Sequence, residues 1–316
     1  MYTPYLYARR SELLSLKALL LEDSNIEKLL PVLEPVKVDV GDLRRCMIEF
    51  GKKQKPLIIV INPNLNEFSK NVASQKKLRA DIDDLFATHP SLIPGFEISA
   101  NTRKEIVEKF QKKYNSSKTA LLHNNSSLSS NELKNYSESV QNPYNITINN
   151  KITTNQLKAI KTRTLINVND DFIKKDRNAD YGGKEPFTDR HKLIADKAMA
   201  YGDYTITGKK FETGGGVPGA VAIHIIFENL KSSEIWIEHF ISDETDQKKG
   251  SPESKFLEAA RKLMTQVKLR PKEFGWNSAL QAYDDHVKNN TWSGLGKNKE
   301  YQIRHHIQFM LDILSK

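Results

Sequence analysis

Short apolar segments alternate with amphipathic segments along the first 208 residues of this 316-residue chain. Each apolar segment ends in polar residues, and each segment that follows carries hydrophobic residues at helical spacing. The run PLIIVI at 56–61 is continuously apolar, which is typical of a strand buried on both faces. The predicted strands are 2–7, 29–36, 56–61, 93–98, 119–123, 144–148, 164–168 and 202–208.

Eight strands that alternate with helices predict an α/β protein of the (β/α)₈ TIM-barrel type. A doubly wound open sheet is the alternative fold for such an alternation. The turn after the first predicted strand reads Ala8-Arg9-Arg10 and lacks the glycines of a dinucleotide-binding fingerprint. The sequence therefore favours the barrel over the open sheet.

The region after the eighth predicted strand elaborates this pattern. The runs VAIHIIF at 221–227 and IWIEHFI at 235–241 flank NLKSSE and predict a β-hairpin, one strand of which is a candidate for the barrel. Helices are predicted at 253–267, 278–287 and 300–314. We therefore expect a barrel at 1–270 that includes hairpin 221–241, and a C-terminal helical extension at 271–316 packed on it.

The predicted hairpin brings two histidines together. If Glu228 opposes Ile235, then His224 lies directly opposite His239 on one face of the ladder. The pair is a candidate for handling a proton, although two buried histidines that satisfy each other would look the same. A slip of one residue in register would separate the two rings.

Charge and composition limit the classes of partner. The chain carries 48 Lys+Arg against 39 Asp+Glu, a net charge of +9, which attracts phosphate-containing ligands or nucleic acid. Lysines that merely coat the helices explain the same excess. The single Cys46 excludes a disulfide framework, and no apolar run has the length of a membrane span. We expect a cytoplasmic protein with no membrane contact.

Barrel enzymes place their working residues at the carboxyl ends of the strands. Glu97 and Asp203 are predicted there as acid and base, or as oxygen ligands of a divalent cation, and His224 and His239 complete the candidate catalytic set. Polar side chains of any barrel also meet water at this edge. The predicted substrate contacts are Arg9, Lys37, His123, Asp171, Arg177, Tyr181 and Tyr204, and further polar residues at strand ends are Glu34, Asn62, Asn124, Asn149 and Asp170.

The polar segment 170–189 is predicted to be a long loop, and loops of this length are often binding loops. Arg177 is a candidate clamp for a phosphate or carboxylate, and Phe172 and Tyr181 are candidates for stacking on a ring. A solvated lid without a ligand is the alternative interpretation.

Several of these strings resemble the beta-protein family of uncharacterised bacterial and phage proteins. The resemblance covers most of the chain through YTPYLYARRSELLSLKALL, LEP, FEIS, FIKKDRNADY, GDYTITG, VPGAVAIHIIF, IEHFISD, PESKFLEAARKL and TWSGL…IRHHI. It implies a barrel-like α/β fold, a bacterial origin and a place near mobile or defence genes. It implies no reaction. The matched positions include Arg9, Glu97, Arg177, Asp180, Tyr181, Asp203, Tyr204, His224 and His239.

These patterns favour an enzyme that hydrolyses or modifies a phosphate-containing substrate, such as a nucleotide or nucleic acid, and the resemblance implies that it acts in anti-phage defence. The alternative is a non-catalytic scaffold of a defence or toxin–antitoxin-like system, whose C-terminal helices bind a protein encoded by a neighbouring gene. A third interpretation is sequence-independent binding of nucleic acid by surface lysines, which would weaken steeply with salt.

Overall fold

The computed structural model describes residues 1–22, 25–139, 143–160, 164–193, 199–213, 216 and 218–316. Eight parallel strands close into a barrel, which confirms the predicted (β/α)₈ TIM-barrel architecture. The barrel strands are β1 (Tyr2–Leu6), β2 (Val32–Leu33), β3 (Leu57–Val60), β4 (Leu92–Ile98), β5 (Ala120–His123), β6 (Tyr144–Ile148), β7 (Thr164–Asn169) and β9 (Met199–Asp203). The remaining strands, β8 (Gly183–Thr188), β10 (Ala222–Asn229) and β11 (Glu234–Ile241), form a separate antiparallel sheet.

Helices follow most of the barrel strands, and more helices follow the hairpin. They are α1 (Arg10–Leu21), α2 (Gly41–Lys52), α3 (Val72–Thr88), α4 (Lys104–Lys113), α5 (Ser130–Ser137), α6 (Thr154–Ala159), α7 (Pro252–Leu269), α8 (Pro271–Phe274), α9 (Ser278–Asn289) and α10 (Leu295–Ile313). No helix in the described part of the chain combines the length and the hydrophobicity that crossing a bilayer requires.

The described chain groups into two compact units. The first contains 1–9, 26–170 and 194–204, and the second contains 10–25, 171–193 and 205–316. All eight barrel strands belong to the first unit. Helix α1 and the antiparallel sheet belong to the second.

Inner and outer residues alternate along the barrel strands, as a closed barrel requires. Residues that pair in a parallel ladder share a face, so Val60, Gly95 and Ala120 point to one side of the wall. Phe96 points to the other side, where its ring lies 5.0 Å from that of Phe110 on α4. The face of Phe96 is therefore the outer, helix-covered face, and the face of Gly95 is the inner one.

The second unit is built on the antiparallel sheet. One face of the sheet carries Ile223, Ile225 and Phe240, which pack with α7 and α9 in a continuous hydrophobic cluster. Helix α10 contacts β10, α1 and α9, so its apolar side is buried within this unit.

Three local predictions are wrong. The eighth barrel strand is Met199–Asp203 and not 202–208, because the residues after Asp203 form a turn. Positions 183–188 of the predicted loop form strand β8, which pairs with β11, so the hairpin gives no strand to the barrel. The alternation also predicts a helix at 190–200, but Arg190–Leu193 form a short 3₁₀ turn, Met199 and Ala200 begin β9, and 194–198 lie outside the described residues.

Candidate functional site

Two glutamates lie on the inner side of the barrel wall near its carboxyl-terminal edge. Glu97 pairs with Leu122 in the ladder and so shares the inner face that Gly95 identifies. Glu34 follows Leu33 at the end of β2, in the alternation position of the inner residue Val32. Glu34 is buried and Glu97 is half-buried.

Each carboxylate is held by a neutral donor. The hydroxyl of Tyr5, on β1, donates to Oε2 of Glu34 across 2.7 Å. The side-chain amide of Asn124, directly after β5, donates to Oε1 of Glu97 across 2.7 Å. Asn62 fixes the backbone of Glu97 from both sides, because its amide donates to the carbonyl and its Oδ1 accepts from the N–H, each at 2.9 Å. Residues on or directly after five strands, β1 to β5, thus position the two side chains.

The environment of Glu34 and Glu97 favours the state in which the two carboxyl groups together hold one proton. Burial, and secondly the negative charge of Glu97, raise the pKa of Glu34 to about 8 from its ordinary value of 4.5, against the opposing effect of the Tyr5 hydrogen bond. Like charges that share a poorly solvated site cannot both ionise easily. At neutral pH Glu34 is therefore largely protonated beside Glu97. Carboxyl groups with such different environments are suited to the roles of acid and base.

Aromatic rings surround the glutamates. Tyr5, Tyr7 and Tyr204 are each 3% exposed, and the ring of Tyr204 lies 4.9 Å from Tyr5 and 6.1 Å from Tyr7. Burial, followed by the charges of Glu34 and Glu97, raises the pKa of the Tyr204 hydroxyl. The tyrosine rings thus reduce hydration around the glutamates, and burial keeps the hydroxyls of Tyr5 and Tyr204 neutral by raising the pKa of each.

The backbone at this edge of the barrel is locally strained. Ala8, Asn125 and Asn149 follow β1, β5 and β6 and have φ values of 52°, 59° and 50°. Asparagine tolerates this left-handed region, but alanine rarely adopts it. Such conformations cost free energy and are concentrated at functional sites. The strain at Ala8 lies between the site residue Tyr7 and the half-buried Arg9.

The structure does not bring Asp203 into this site. Asp203 pairs with Pro4 and Asn169, which places it on the outer face of the barrel wall, where it is fully buried and accepts a 2.7 Å hydrogen bond from the Tyr2 hydroxyl. This placement corrects the prediction that Asp203 lies beside Glu97. An acidic residue at a strand end reaches the inner face only when its register has the right parity.

Two other predicted contacts of the barrel also lie outside the glutamate site. His123 is on the outer face, where its Nε2 lies 2.8 Å from Oδ1 of Asn145, and burial lowers its pKa to about 4. Lys37 is exposed after β2. Tyr204 remains beside the glutamates, and Arg9 follows β1 as a half-buried residue at the carboxyl-terminal edge.

The second unit contains the predicted histidine pair. Glu228 opposes Ile235 and His224 opposes His239, so the predicted register is confirmed. The Nδ1 atoms of the two histidines are 2.8 Å apart, and the ring of Tyr181 lies 4.5 Å from that of His224 and 5.0 Å from that of His239. Tyr181 is therefore next to the histidines, as a lid residue would be.

The predicted substrate contacts Asp171 and Arg177 already have charged partners. Asp171 forms an ion pair with Arg190, and Nη2 of Arg177 lies 2.6 Å from Oδ1 of Asp180. The guanidinium of Arg177 is exposed. An exposed pair of this kind contributes little stability, and the pairing leaves Arg177 less suited to clamp a ligand than the sequence suggests.

Sequence reasoning missed Tyr5 and Glu185, and it recognised Glu34 only as one polar strand end among several. Alternation of inner and outer residues, followed from the strand of Glu97 to its neighbours, could identify Glu34 as an inner residue. Strand β2 is two residues long, however, so its sequence shows no such alternation. Glu185 lies in β8, whose sequence does not resemble a strand because it contains Gly183 and Pro186. The described residues contain no group of three or more His, Cys, Asp or Glu side chains arranged to hold a metal ion.

The chain was compared with known proteins. No protein-family model matches it, and the curated proteins contain no significant match.

Proposed function

We propose that the protein is an enzyme whose glutamates at the barrel mouth, Glu34 and Glu97, act as acid and base on a phosphate-containing substrate such as a nucleotide or nucleic acid. The observation that supports this most is the raised pKa of the buried Glu34 beside Glu97. Such a pair supplies a proton donor and a proton acceptor together near neutral pH. The barrel architecture adds that working residues lie at this edge of the strands.

The proposed reaction is a hydrolysis. Glu97 takes a proton from a water molecule, and the water oxygen forms a bond to phosphorus. The bond from phosphorus to the leaving oxygen breaks, and Glu34 gives its proton to that oxygen. Arg9, at the carboxyl end of β1, is the proposed contact of the phosphate, and the net charge of +9 favours approach of anionic substrates.

Matched variants test this proposal. Purified wild-type protein, Glu34→Gln, Glu97→Gln and Asp203→Asn are incubated with a panel of nucleotides and short nucleic acids, with and without divalent cations, and products are identified by mass spectrometry. We expect turnover in wild type and Asp203→Asn and its loss in both glutamate variants. Equal turnover in all four proteins, each with a normal melting curve, would sink the proposal.

A non-catalytic scaffold is a second candidate function, favoured by a different observation. Tyr5, Tyr7 and Tyr204 are almost fully buried, so the rings fill much of the space around the glutamates. A scaffold predicts that all three variants above retain a cellular phenotype while removal of a partner abolishes it. The setting that we propose for either function, cytoplasmic anti-phage defence, rests on the family resemblance and on the single, buried Cys46.

A further inference from the structure

Three side chains of the antiparallel sheet form a hydrogen-bonded chain. Oε1 of Glu185, on β8, lies 3.2 Å from Nε2 of His239 on β11, and Nδ1 of His239 lies 2.8 Å from Nδ1 of His224 on β10. In the ladder Glu185 opposes Ile237, two residues from His239, so all three side chains project from the same face. His224 and His239 are 6% and 5% exposed.

This arrangement fixes the proton positions on both rings. Burial, and secondly the neighbouring imidazole, lower the pKa of His224, and burial lowers that of His239, so both rings are neutral at pH 7. An ionised carboxylate can only accept, so Nε2 of His239 carries its proton and donates to Glu185. Nδ1 of His239 then has a lone pair and accepts from Nδ1–H of His224. The lone pair of His224 is therefore left on Nε2.

The rings of Phe172 and Tyr181, here called the aromatic roof, cover the rings of His224 and His239. The rings of Tyr181 and Phe172 stack 5.9 Å apart, and Phe172 lies 5.3 Å from His224. The Tyr181 hydroxyl accepts a 2.8 Å hydrogen bond from the backbone N–H of Lys175, and Asn178 donates to the carbonyl of Ala220 across 2.8 Å. The roof is thus an ordered loop attached to the start of β10, and entry of a ligand requires it to move.

Cations lie close to this chain of groups. The positive charge of Lys299, on α10, disfavours protonation of His224, and that of Lys175 disfavours protonation of His239. Lys299 is half-buried and donates to the carbonyl of Ile206 across 3.2 Å. Two ammonium groups beside neutral imidazoles provide positive potential for an anionic group near the terminal nitrogen.

We propose that Glu185, His239 and His224 form a proton relay, and that Nε2 of His224 is the base of a second site that binds a hydroxyl-bearing phosphate ester. Nε2 takes the proton of the ligand hydroxyl, the Nδ1 proton of His224 passes to Nδ1 of His239, and the Nε2 proton of His239 passes to Glu185. One proton thus moves from the ligand to the carboxylate. This site is independent of Glu34 and Glu97.

Nitrogen-15 NMR of the labelled full-length protein at pH 7 tests the relay without any variant. We expect long-range proton–nitrogen correlations to show His224 as the Nδ1–H tautomer and His239 as the Nε2–H tautomer. A free imidazole prefers Nε2–H, so that tautomer at His224 would overturn the relay.

A matched pair of variants assigns the effect to Glu185. In Glu185→Met we expect His224 to lose its single tautomer and become a mixture, whereas Glu234→Gln, which removes a half-buried carboxylate at the start of β11 in the same sheet, leaves it unchanged. An unchanged His224 tautomer in a folded Glu185→Met protein would show that Glu185 does not set the proton positions of the two histidines, and it would contradict the relay.

Glycerol 1-phosphate is the probe for the ligand. We expect it to shift the His224 nitrogen signals saturably, with about tenfold weaker binding in Lys299→Met and unchanged binding in Glu97→Gln. No shift at millimolar probe would remove the proposed ligand. Binding that is lost in Glu97→Gln but retained in Lys299→Met would assign the phosphate to the barrel mouth instead.

Discussion

Glu97 and Asp203 both lie at the carboxyl-terminal ends of barrel strands, but their side chains project to opposite faces of the barrel wall. Glu97 accepts a hydrogen bond from the Asn124 amide on the inner face of the wall. Asp203 accepts one from the Tyr2 hydroxyl on the outer face. Acidic side chains at equivalent strand ends therefore meet two different environments. One carboxylate faces another carboxylate, and the other faces a phenol.

This difference predicts opposite effects of two conservative substitutions. Glu97→Gln removes the proposed base, and we expect turnover to fall about 10²- to 10⁴-fold with little change in melting temperature. Asp203→Asn alters the acceptor of a buried hydrogen bond from the Tyr2 hydroxyl, and we expect it to destabilise the fold by about 1–3 kcal/mol while turnover per folded molecule is unchanged. Urea unfolding and product formation, measured on the same samples, check both expectations. A fall in turnover in Asp203→Asn alone would reverse the assignment.

Tyr5→Phe tests the hydrogen bond to Glu34. The hydroxyl of Tyr5 stabilises the ionised form of Glu34, so its removal raises the pKa of Glu34 further. Because Glu34 must be protonated to act as an acid, we expect the alkaline limb of the pH–rate profile to move to higher pH. Tyr114→Phe, which removes a hydroxyl that bonds to Asp83 elsewhere in this unit, is the control and leaves the limb in place. Movement to lower pH in Tyr5→Phe would contradict the assigned roles.

Because His123 is buried, we expect the free energy of unfolding to fall at acidic pH. Its folded-state pKa is lowered by burial to about 4 from 6.5, so its contribution is complete above pH 6.5 and is lost as pH falls toward 4. The contribution of one such group is roughly 3 kcal/mol. We expect His123→Gln, whose amide can still donate to Asn145, to flatten the plot of unfolding free energy against pH over this interval. His305, which burial shifts in the same direction, accounts for part of the slope that remains. An unchanged slope in His123→Gln would place the acid sensitivity elsewhere.

Gly202 tests the assignment of the inner barrel face. A Cβ atom there would lie 2.7 Å from the carbonyl oxygen of Thr3 and 2.9 Å from Cγ2 of Val168. We expect Gly202→Ala to overpack the interior and destabilise the protein by about 1–3 kcal/mol, measured by urea unfolding. Gly296→Ala, where a Cβ meets nothing within 4 Å, is the matched control and should be neutral or slightly stabilising. A neutral Gly202→Ala would mean that the interior is less tightly packed than described.

Periodicity was sufficient to predict the barrel and the hairpin. The hairpin register followed from a six-residue connection, and with it the contact between His224 and His239. The sequence places the eighth strand too late in the chain because the β-branched residues of GDYTITG alternate as in a strand. The observed strand, Met199–Asp203, instead contains Gly202. Since the side-chain period of a strand is two, locating Asp203 by strand end alone could not determine its face.

The glutamate pair depends on contacts between distant segments, which one sequence does not reveal. Glu34 and Glu97 are 63 positions apart in the printed numbering, and they are brought together by the parallel pairing of β2 and β4 with β3, which lies between them. Glu185 was missed because Pro186 lowers the strand propensity of β8, an edge strand on which proline is tolerated. Sequence patterns predict elements well, but they do not predict which polar side chains will share a desolvated space.

A carbon-13 NMR titration of the Glu34 carboxyl group measures the coupling on which the barrel-mouth proposal rests. We expect Glu34 in the wild-type protein to titrate near pH 8, and in Glu97→Gln to titrate at lower pH because the neighbouring charge is gone. Titration of Glu34 near its ordinary value of 4.5 in the folded wild-type protein, or the same midpoint in both proteins, would contradict it.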